Sequence, residues 1–292
     1  MRVLILGASG MLGHKLWQTF SGELDTYAGV RQSCQAYARY GLFNPDRLVE
    51  YLNIQDFDTC IRAFGRVKPD VVINCIGIIK QVSSVTPAVD FIRVNSLFPH
   101  QLAELCAISG VRLIQFSTDC VFSGRQGMYT EEDIPDPIDI YGRSKLLGEV
   151  SGEYCLTIRT SMLGRELERS ISLLEWFLNQ PDQRIKGYTR AIFNGLTTCA
   201  LAKVVLQVVT QWPDLTGLYH VSAQAVSKYD LLMQIREAFQ IKTLIEPFDE
   251  FQVDRSLDSS RFRRQTGIVI PGWDEMIQGL VSDGTPYGDW RR

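Results

Sequence analysis

Short runs of uninterrupted apolar residues alternate along the first half of the chain with stretches whose apolar positions recur every three or four residues. The runs are residues 2–6, 26–30, 49–52, 70–75, 112–116 and 155–158; stretches 12–20, 57–64 and 98–109 have the helical spacing. A strand with one face in water alternates polar and apolar residues, whereas a strand covered on both faces does not. The pattern therefore predicts an α/β fold, a doubly wound parallel sheet with helices on each side.

Beyond Arg159 the texture changes. Segment 165–188 reads as polar and helical, 196–209 as a helix rich in Ala, Leu and Val, and 218–221 as a short strand. A helix is expected over 229–239, then an Arg-rich stretch (Arg255, Arg261, Arg263, Arg264), then a final helix near 274–280 after Pro-Gly-Trp. This implies a main domain of residues 1–160, with 190–219 returning to it, and a smaller C-terminal α/β lobe made of 161–189 and 220–292.

At 292 residues the chain is long enough for both parts. A charged fraction of 22% and a net charge of -3 carry no nucleic-acid or membrane footprint. The apolar stretch after Met1 is too short for a signal-peptide core, and no run approaches the roughly 18 residues that span a bilayer. Seven cysteines, an odd count without a C-x-x-C pair, argue against a disulfide framework and a zinc site, so a cytoplasmic location is expected. His14, His100 and His220 stand apart without metal-ligand spacing, and each is expected to be a cap or core residue rather than a ligand; no metal is expected.

Gly7-Ala-Ser-Gly10-Met-Leu-Gly13 follows the first strand and opens the first helix. Such a loop allows a tight turn, close approach of backbone to a pyrophosphate and a helix N-terminus facing the anion. Gly7, Ser9, Gly10, Met11 and Leu12 are its candidate cofactor contacts. At the tip of the second strand, where NAD-specific proteins carry an acidic residue, stands Arg31, whose guanidinium suits a 2′-phosphate. NADPH is favoured, with NADH as the alternative. By topology Asn53 and Ile54 sit beside the adenine, and Cys75, Ile76 and Gly77 close the fourth strand beneath the cofactor.

Tyr141 and Lys145, four apart in Tyr-Gly-Arg-Ser-Lys, share a face if they lie on one helix. The ammonium can then stabilise a phenolate, while the hydroxyl of Thr118, at the end of the fifth strand, points into the same cleft. That is equipment for moving a proton on or off a carbonyl oxygen.

These motifs together resemble an extended short-chain dehydrogenase/reductase. The resemblance covers the glycine loop, Asn95 in Arg-Val-Asn, Ser117-Thr-Asp-Cys-Val-Phe-Ser-Gly124, Tyr129-Thr-Glu-Glu-Asp133, Tyr141 to Glu149 and Ile158-Arg-Thr-Ser161. The pattern is most similar to the dTDP-4-dehydrorhamnose reductase group. It implies a Rossmann fold, Tyr141 as the acid on a ketone oxygen, Lys145 depressing the tyrosine pKa and holding the nicotinamide ribose, and Thr118 hydrogen-bonded to the same oxygen. It also implies a nucleotide-linked 4-keto-6-deoxy sugar as substrate, bound by the smaller lobe, and a homodimer. Related dehydratases carry Asp-Glu after the Thr; Asp119-Cys120 stands here, so elimination of water is not expected. Where the chain departs from the group, Lys80 and Gln81 would flank the sugar, loop 186–198 with Arg190 and Asn194 would enter the cleft, and Arg261 would meet the diphosphate. Lys80, Thr118, Asp119, Arg190, Asn194 and Arg261 are thus the candidate substrate contacts. An NAD-retaining epimerase and a non-catalytic relative that binds a partner enzyme are the rival readings.

Overall fold

The computed structural model describes residues 1–83, 85–168, 170–180 and 183–291. Seven strands form one parallel sheet: β1 (Arg2–Leu6), β2 (Asp25–Gly29), β3 (Leu48–Val49), β4 (Val71–Asn74), β5 (Arg112–Thr118), β6 (Cys155–Thr160) and, later in the chain, β10 (Gly217–His220). Their order is β10-β6-β5-β4-β1-β2-β3. The winding reverses between β1 and β4, and the carboxyl ends at such a reversal leave a crevice. The side chains of Val3, Leu4, Ile5, Leu6, Val72 and Ile73 are wholly buried, which explains why these strands read as unbroken apolar runs. Helices Gly13–Phe20 and Thr198–Gln211 pack together on one face. Helices Asp58–Val67 and Phe98–Ser109 cover the other, where Phe64, Phe98 and Leu102 join a second apolar cluster.

Segment 165–188, expected to be helical, is helical only over Leu173–Leu178. Residues 169, 181 and 182 of that segment lie outside the described residues, and its end enters β8 (Arg184–Phe193). Ile185, Gly187, Ala191 and Phe193 are buried among exposed or partly exposed neighbours, a period of two that marks a half-covered strand. A Cβ on Gly187 would come within 2.6 Å of both Ile245 and Tyr229, so glycine is required where the helix Lys228–Ala238 crosses this strand. β8 is the middle of a three-stranded sheet, between β11 (Val226–Ser227) and β12 (Leu244–Asp254). Strand β12 escaped the sequence reading because it is mostly exposed and contains Pro247, Asp249 and Glu250, the composition of an edge strand. Two short strands, β7 (Met162–Leu163) and β9 (Leu196–Thr197), pair where the chain passes between sheets. Among the described residues no helix is long and apolar enough to cross a membrane.

The last segment returns to the first helix. Lys15 and Asp283 form an ion pair of 2.5 Å with side chains 5% and 10% exposed, and Thr285 meets both Lys15 and Gln18. Burial raises the Asp283 pKa, but hydrogen bonds from Lys15 and Thr285 outweigh it, and the net shift is downward. A carboxyl with a depressed folded pKa contributes stability that is complete above its unfolded value and is lost as pH falls through the folded one. Replacing Asp283 by Asn leaves the Lys15 charge buried without its counter-ion and is expected to cost about 3–5 kcal/mol. Urea unfolding at pH 7 checks this. The gap between wild type and variant should close below about pH 4; equal stability at neutral pH would contradict it.

Candidate active site

A cleft of about 1250 Å³ runs along the carboxyl edge of the large sheet and continues under the small lobe. Its wall includes the glycine loop residues Gly7, Ser9, Gly10, Met11 and Leu12, then Arg31, Asn53 and Ile54, then Cys75, Ile76 and Gly77. It also includes Lys80, Thr118, Asp119, Tyr141 and Lys145. The fold thus brings together every residue expected to meet a dinucleotide, and three of the six expected to meet a sugar.

At the first end of the cleft the backbone makes a cradle. Gly7 has a φ of +75°, and its N–H and that of Ala8 donate to Gly29 O on β2 at 3.0 and 3.1 Å. A Cβ on Gly13 would lie 2.1 Å from Gly7 O, so only glycine lets the helix start this close to the strand. The N–H groups of Met11 and Leu12, just before the helix, have no backbone acceptor among the described residues and lie at the cleft. This cradle fits a dinucleotide pyrophosphate. Arg31 is exposed on the cleft wall and no carboxylate pairs with it among the described residues.

At mid-cleft, Asp139 caps the helix Ile140–Leu147 by accepting from Gly142 N at 2.8 Å. One helical turn then places Tyr141 and Lys145 on the same wall, beside the end of β5. Gly142 is obligatory, since a Cβ there would lie 2.2 Å from Cys120 O. Lys145 Nζ donates to Phe116 O at 2.6 Å, and Thr118 Oγ1 donates to Asp119 Oδ1 at 3.0 Å. Asn95, in a π-helical turn, brackets the loop after β4: Oδ1 accepts from Ile78 N at 2.9 Å and Nδ2 donates to Ile78 O at 3.0 Å. Behind this wall Glu149 accepts from Ser117 Oγ at 2.6 Å and from Arg159 Nε and Nη2 at 2.7 and 2.8 Å.

Burial drives the Tyr141 pKa above its ordinary value; Cys120, Asp119 and Asp139 push the same way, and a hydrogen bond with Thr118 opposes them. Lys145, whose ammonium donates to the Phe116 carbonyl, is not among these influences. The phenol therefore holds its proton, as an acid must before it acts. Burial lowers the Lys145 pKa to about 8, against the raising influence of Glu149 and Cys75.

The far end of the cleft departs from expectation. Arg190 is exposed on β8 and donates to Gln252 on β12, outside the cleft wall. Asn194 is buried and spent on the backbone of Leu257, donating to its O at 2.9 Å and accepting from its N at 3.1 Å. Arg261 is exposed, with its guanidinium 5.0 Å from the Tyr219 ring, on the helix Ser260–Thr266. In their place stand Lys228, at the start of its helix, and Arg255, just beyond β12. Arg255 Nε donates to Phe122 O at 2.9 Å. Both face Asp119, whose pKa burial raises while Arg255 and Lys228 act to lower it. Lys80 joins the wall already paired to Asp139 at 2.7 Å. The sequence reading missed Lys228 and named Arg255 only within a basic stretch, because no local motif marks either.

The histidines behave as expected of core or capping residues: His14 and His220 are wholly buried and hydrogen-bonded, and His100 reaches Leu147 O at 2.8 Å. Among the described residues no group of three His, Cys, Asp or Glu could hold a metal.

The family model described as the RmlD substrate binding domain matches residues 1–285. The chain belongs to this family. It is 32% identical over 254 residues to methionine adenosyltransferase 2 subunit beta of Rattus norvegicus, covering 82% of this chain and 72% of that protein. Among solved structures it is similar to a hypothetical dTDP-4-dehydrorhamnose reductase from Sulfolobus tokodaii, with 26% identity, a TM-score of 0.77 and coverage of 92% and 96%. A dTDP-4-dehydrorhamnose reductase from Bacillus anthracis in complex with NADP shares the fold, with 22% identity, a TM-score of 0.78 and coverage of 97% and 99%.

If the Lys145 ammonium holds a ribose, dinucleotide affinity falls as pH rises through about 8, where the amine loses its charge. Titration of NADPH by fluorescence between pH 6.5 and about 9.5 checks this. Constant affinity across that range would contradict the role.

Proposed function

We propose that the protein reduces the 4-keto group of a nucleotide-linked 4-keto-6-deoxy sugar, with NADPH as the electron donor. The observation that carries this reading is the meeting of Thr118, Tyr141 and Lys145 beside the glycine cradle in one cleft. A bound reduced nicotinamide supplies a hydride. The glycine loop N–H groups take the pyrophosphate, Arg31 takes the 2′-phosphate, and Asn53 and Ile54 border the adenine. Tyr141 delivers its proton to the ketone oxygen, Thr118 Oγ1 turns from Asp119 to hydrogen-bond the same oxygen, and Lys145 anchors the nicotinamide ribose. Lys228 and Arg255 supply the cations for the anionic end of the substrate, the role first given to Arg261.

The sequence supports a net reduction, since Asp119-Cys120 leaves the cleft without a glutamate at the position that dehydratases use. Burial holds the Cys120 thiol at a pKa of about 12, so it stays protonated and cannot stand in as a base. We assign residues 1–160 and 194–220 to dinucleotide binding, and 161–193 and 221–292 to the substrate; the expected breaks at 190 and 219 shift because β8 belongs whole to the small sheet and β10 to the large one.

A second reading, a non-catalytic subunit of another enzyme, draws on the identity with methionine adenosyltransferase 2 subunit beta. The retained Thr-Tyr-Lys set opposes it, since a regulatory surface has no use for all three. NADPH oxidation against a panel of dTDP-, UDP- and GDP-linked 4-keto sugars separates the two. Reduction of at least one sugar supports the reductase; inertness toward the whole panel supports the subunit.

Two substitutions sharpen the mechanism. Tyr141→Phe is expected to lower turnover by about a thousandfold or more, at the upper end of what a positioned acid contributes, while leaving the NADPH dissociation constant unchanged. Retained turnover would remove Tyr141 from the proton-donor role. Arg31→Ala is expected to raise the Michaelis constant for NADPH about tenfold more than that for NADH, the loss of one charge-assisted contact. Equal changes would remove the 2′-phosphate contact.

A further inference from the structure

The C-terminal segment wraps the dinucleotide end of the cleft from behind. It follows the small-lobe helix Trp273–Val281 and makes contacts that the proposed chemistry does not use. Lys15, Gln18 and His14, on the helix that opens from the glycine loop, all turn toward it. His14 is wholly buried, with Nδ1 2.8 Å from Gly10 O and Nε2 2.7 Å from the hydroxyl of Tyr287.

The tautomer follows from the partners. A carbonyl oxygen only accepts, so Nδ1 carries the hydrogen and donates to Gly10 O. Nε2 must then accept, and the Tyr287 hydroxyl donates to it, sharing its hydrogen unequally with Asp283 Oδ2 at 3.2 Å. Burial, the largest influence, lowers the His14 pKa to about 4, so the ring remains neutral and this arrangement persists through the physiological range. Gly10 O also accepts from His14 N at 3.1 Å, and both of its lone pairs are thereby used. The carbonyl in the middle of the glycine loop is pinned from two directions.

Tyr287 and Trp290 extend the hold to two further parts of the cleft wall. The Arg165 guanidinium lies 4.5 Å from the Tyr287 ring centroid and pairs with Glu175 at 2.8 Å, next to wall residues Glu166 and Leu167. The Trp290 ring meets Tyr40 at 5.0 Å, in the segment that contributes Tyr37 to the wall.

We propose that His14 and Tyr287 are positioning residues for the dinucleotide: the C-terminal segment fixes the Gly10 carbonyl, and with it the loop N–H groups that meet the pyrophosphate. The inference rests on the dinucleotide reading of the cleft. It assigns the tail of the small lobe a part in cofactor affinity and none in the chemical step.

Tyr287→Phe keeps the ring and removes only the hydroxyl. His14→Asn keeps a donor for Gly10 O and loses the Tyr287 partner. Hydrogen exchange of cofactor-free protein reads the strap directly: the bonded amides of Ala8, Gly10 and His14 should exchange about tenfold faster in each variant, with β4 and β5 unchanged. The NADPH dissociation constant should rise about tenfold, turnover at saturating NADPH should change less than about twofold, and the double variant should be no worse than either single one. Wild-type exchange at the loop together with wild-type NADPH affinity would overturn the proposal. A wild-type protein that binds no dinucleotide would remove the cofactor reading, while the loop exchange would still decide whether the segment holds the loop.

Discussion

One partly buried carboxylate, that of Glu149, holds the Thr118–Tyr141–Lys145 wall of the cleft in place. It sits behind the catalytic helix and is bound at once by Ser117 from β5 and by both nitrogens of an Arg159 fork from β6. Arg159 continues to His220 Nε2 at 3.2 Å, and His220 Nδ1 faces Tyr129 O at 3.0 Å. Two adjacent strands, the helix after β5, the edge strand and the Tyr129 loop are thereby joined through fully partnered polar groups. A buried pair of this kind is weak evidence for net stability, but losing one partner is costly, so the arrangement specifies geometry more than it adds free energy. Its consequence at the surface of the cleft is that Thr118, one residue past Ser117, and Lys145, one turn before Glu149, keep a fixed separation.

The cleft divides electrically along its length. The dinucleotide end is neutral backbone with unspent N–H donors and a single exposed arginine. The middle, beside Thr118 and Tyr141, is crowded with side-chain charge: Lys80 with Asp139, and Lys228 and Arg255 around Asp119. Burial lowers the Lys228 pKa, an effect that Asp119 and Cys120 counter and Arg255 and Lys80 reinforce.

Much of this was legible in the chain. The parallel sheet announced itself because its strands are covered on both faces, and continuous apolarity has few other causes in runs of four to six residues. The glycine loop and the Tyr-x-x-x-Lys helix were readable because one local geometry demands each. The small lobe was not. Strand β8 hides its period of two behind Gly187, Thr189 and Arg190, and β12 presents an exposed edge with a proline. Arg190 and Asn194 stand out in a supposed loop, and Arg261 as a guanidinium suited to a diphosphate, but the fold spends them on Gln252, the Leu257 backbone and Tyr219. Lys228 and Arg255 meet only through tertiary packing. His14, expected to be a cap or core residue, is buried, but its Tyr287 partner lies 273 positions away, beyond any local pattern.

On the proposed reading a hydride passes from NADPH to the ketone carbon, a proton passes from Tyr141 to its oxygen, and the oxidised cofactor leaves. Transfer from NADPH carrying deuterium at both hydrogens of the nicotinamide C4 measures it most directly, with mass spectrometry of the sugar product. The account predicts one deuterium at the sugar C4 in each turnover and stoichiometric release of NADP. Product without deuterium, or a nicotinamide that stays bound and recovers its label after each cycle, would contradict it.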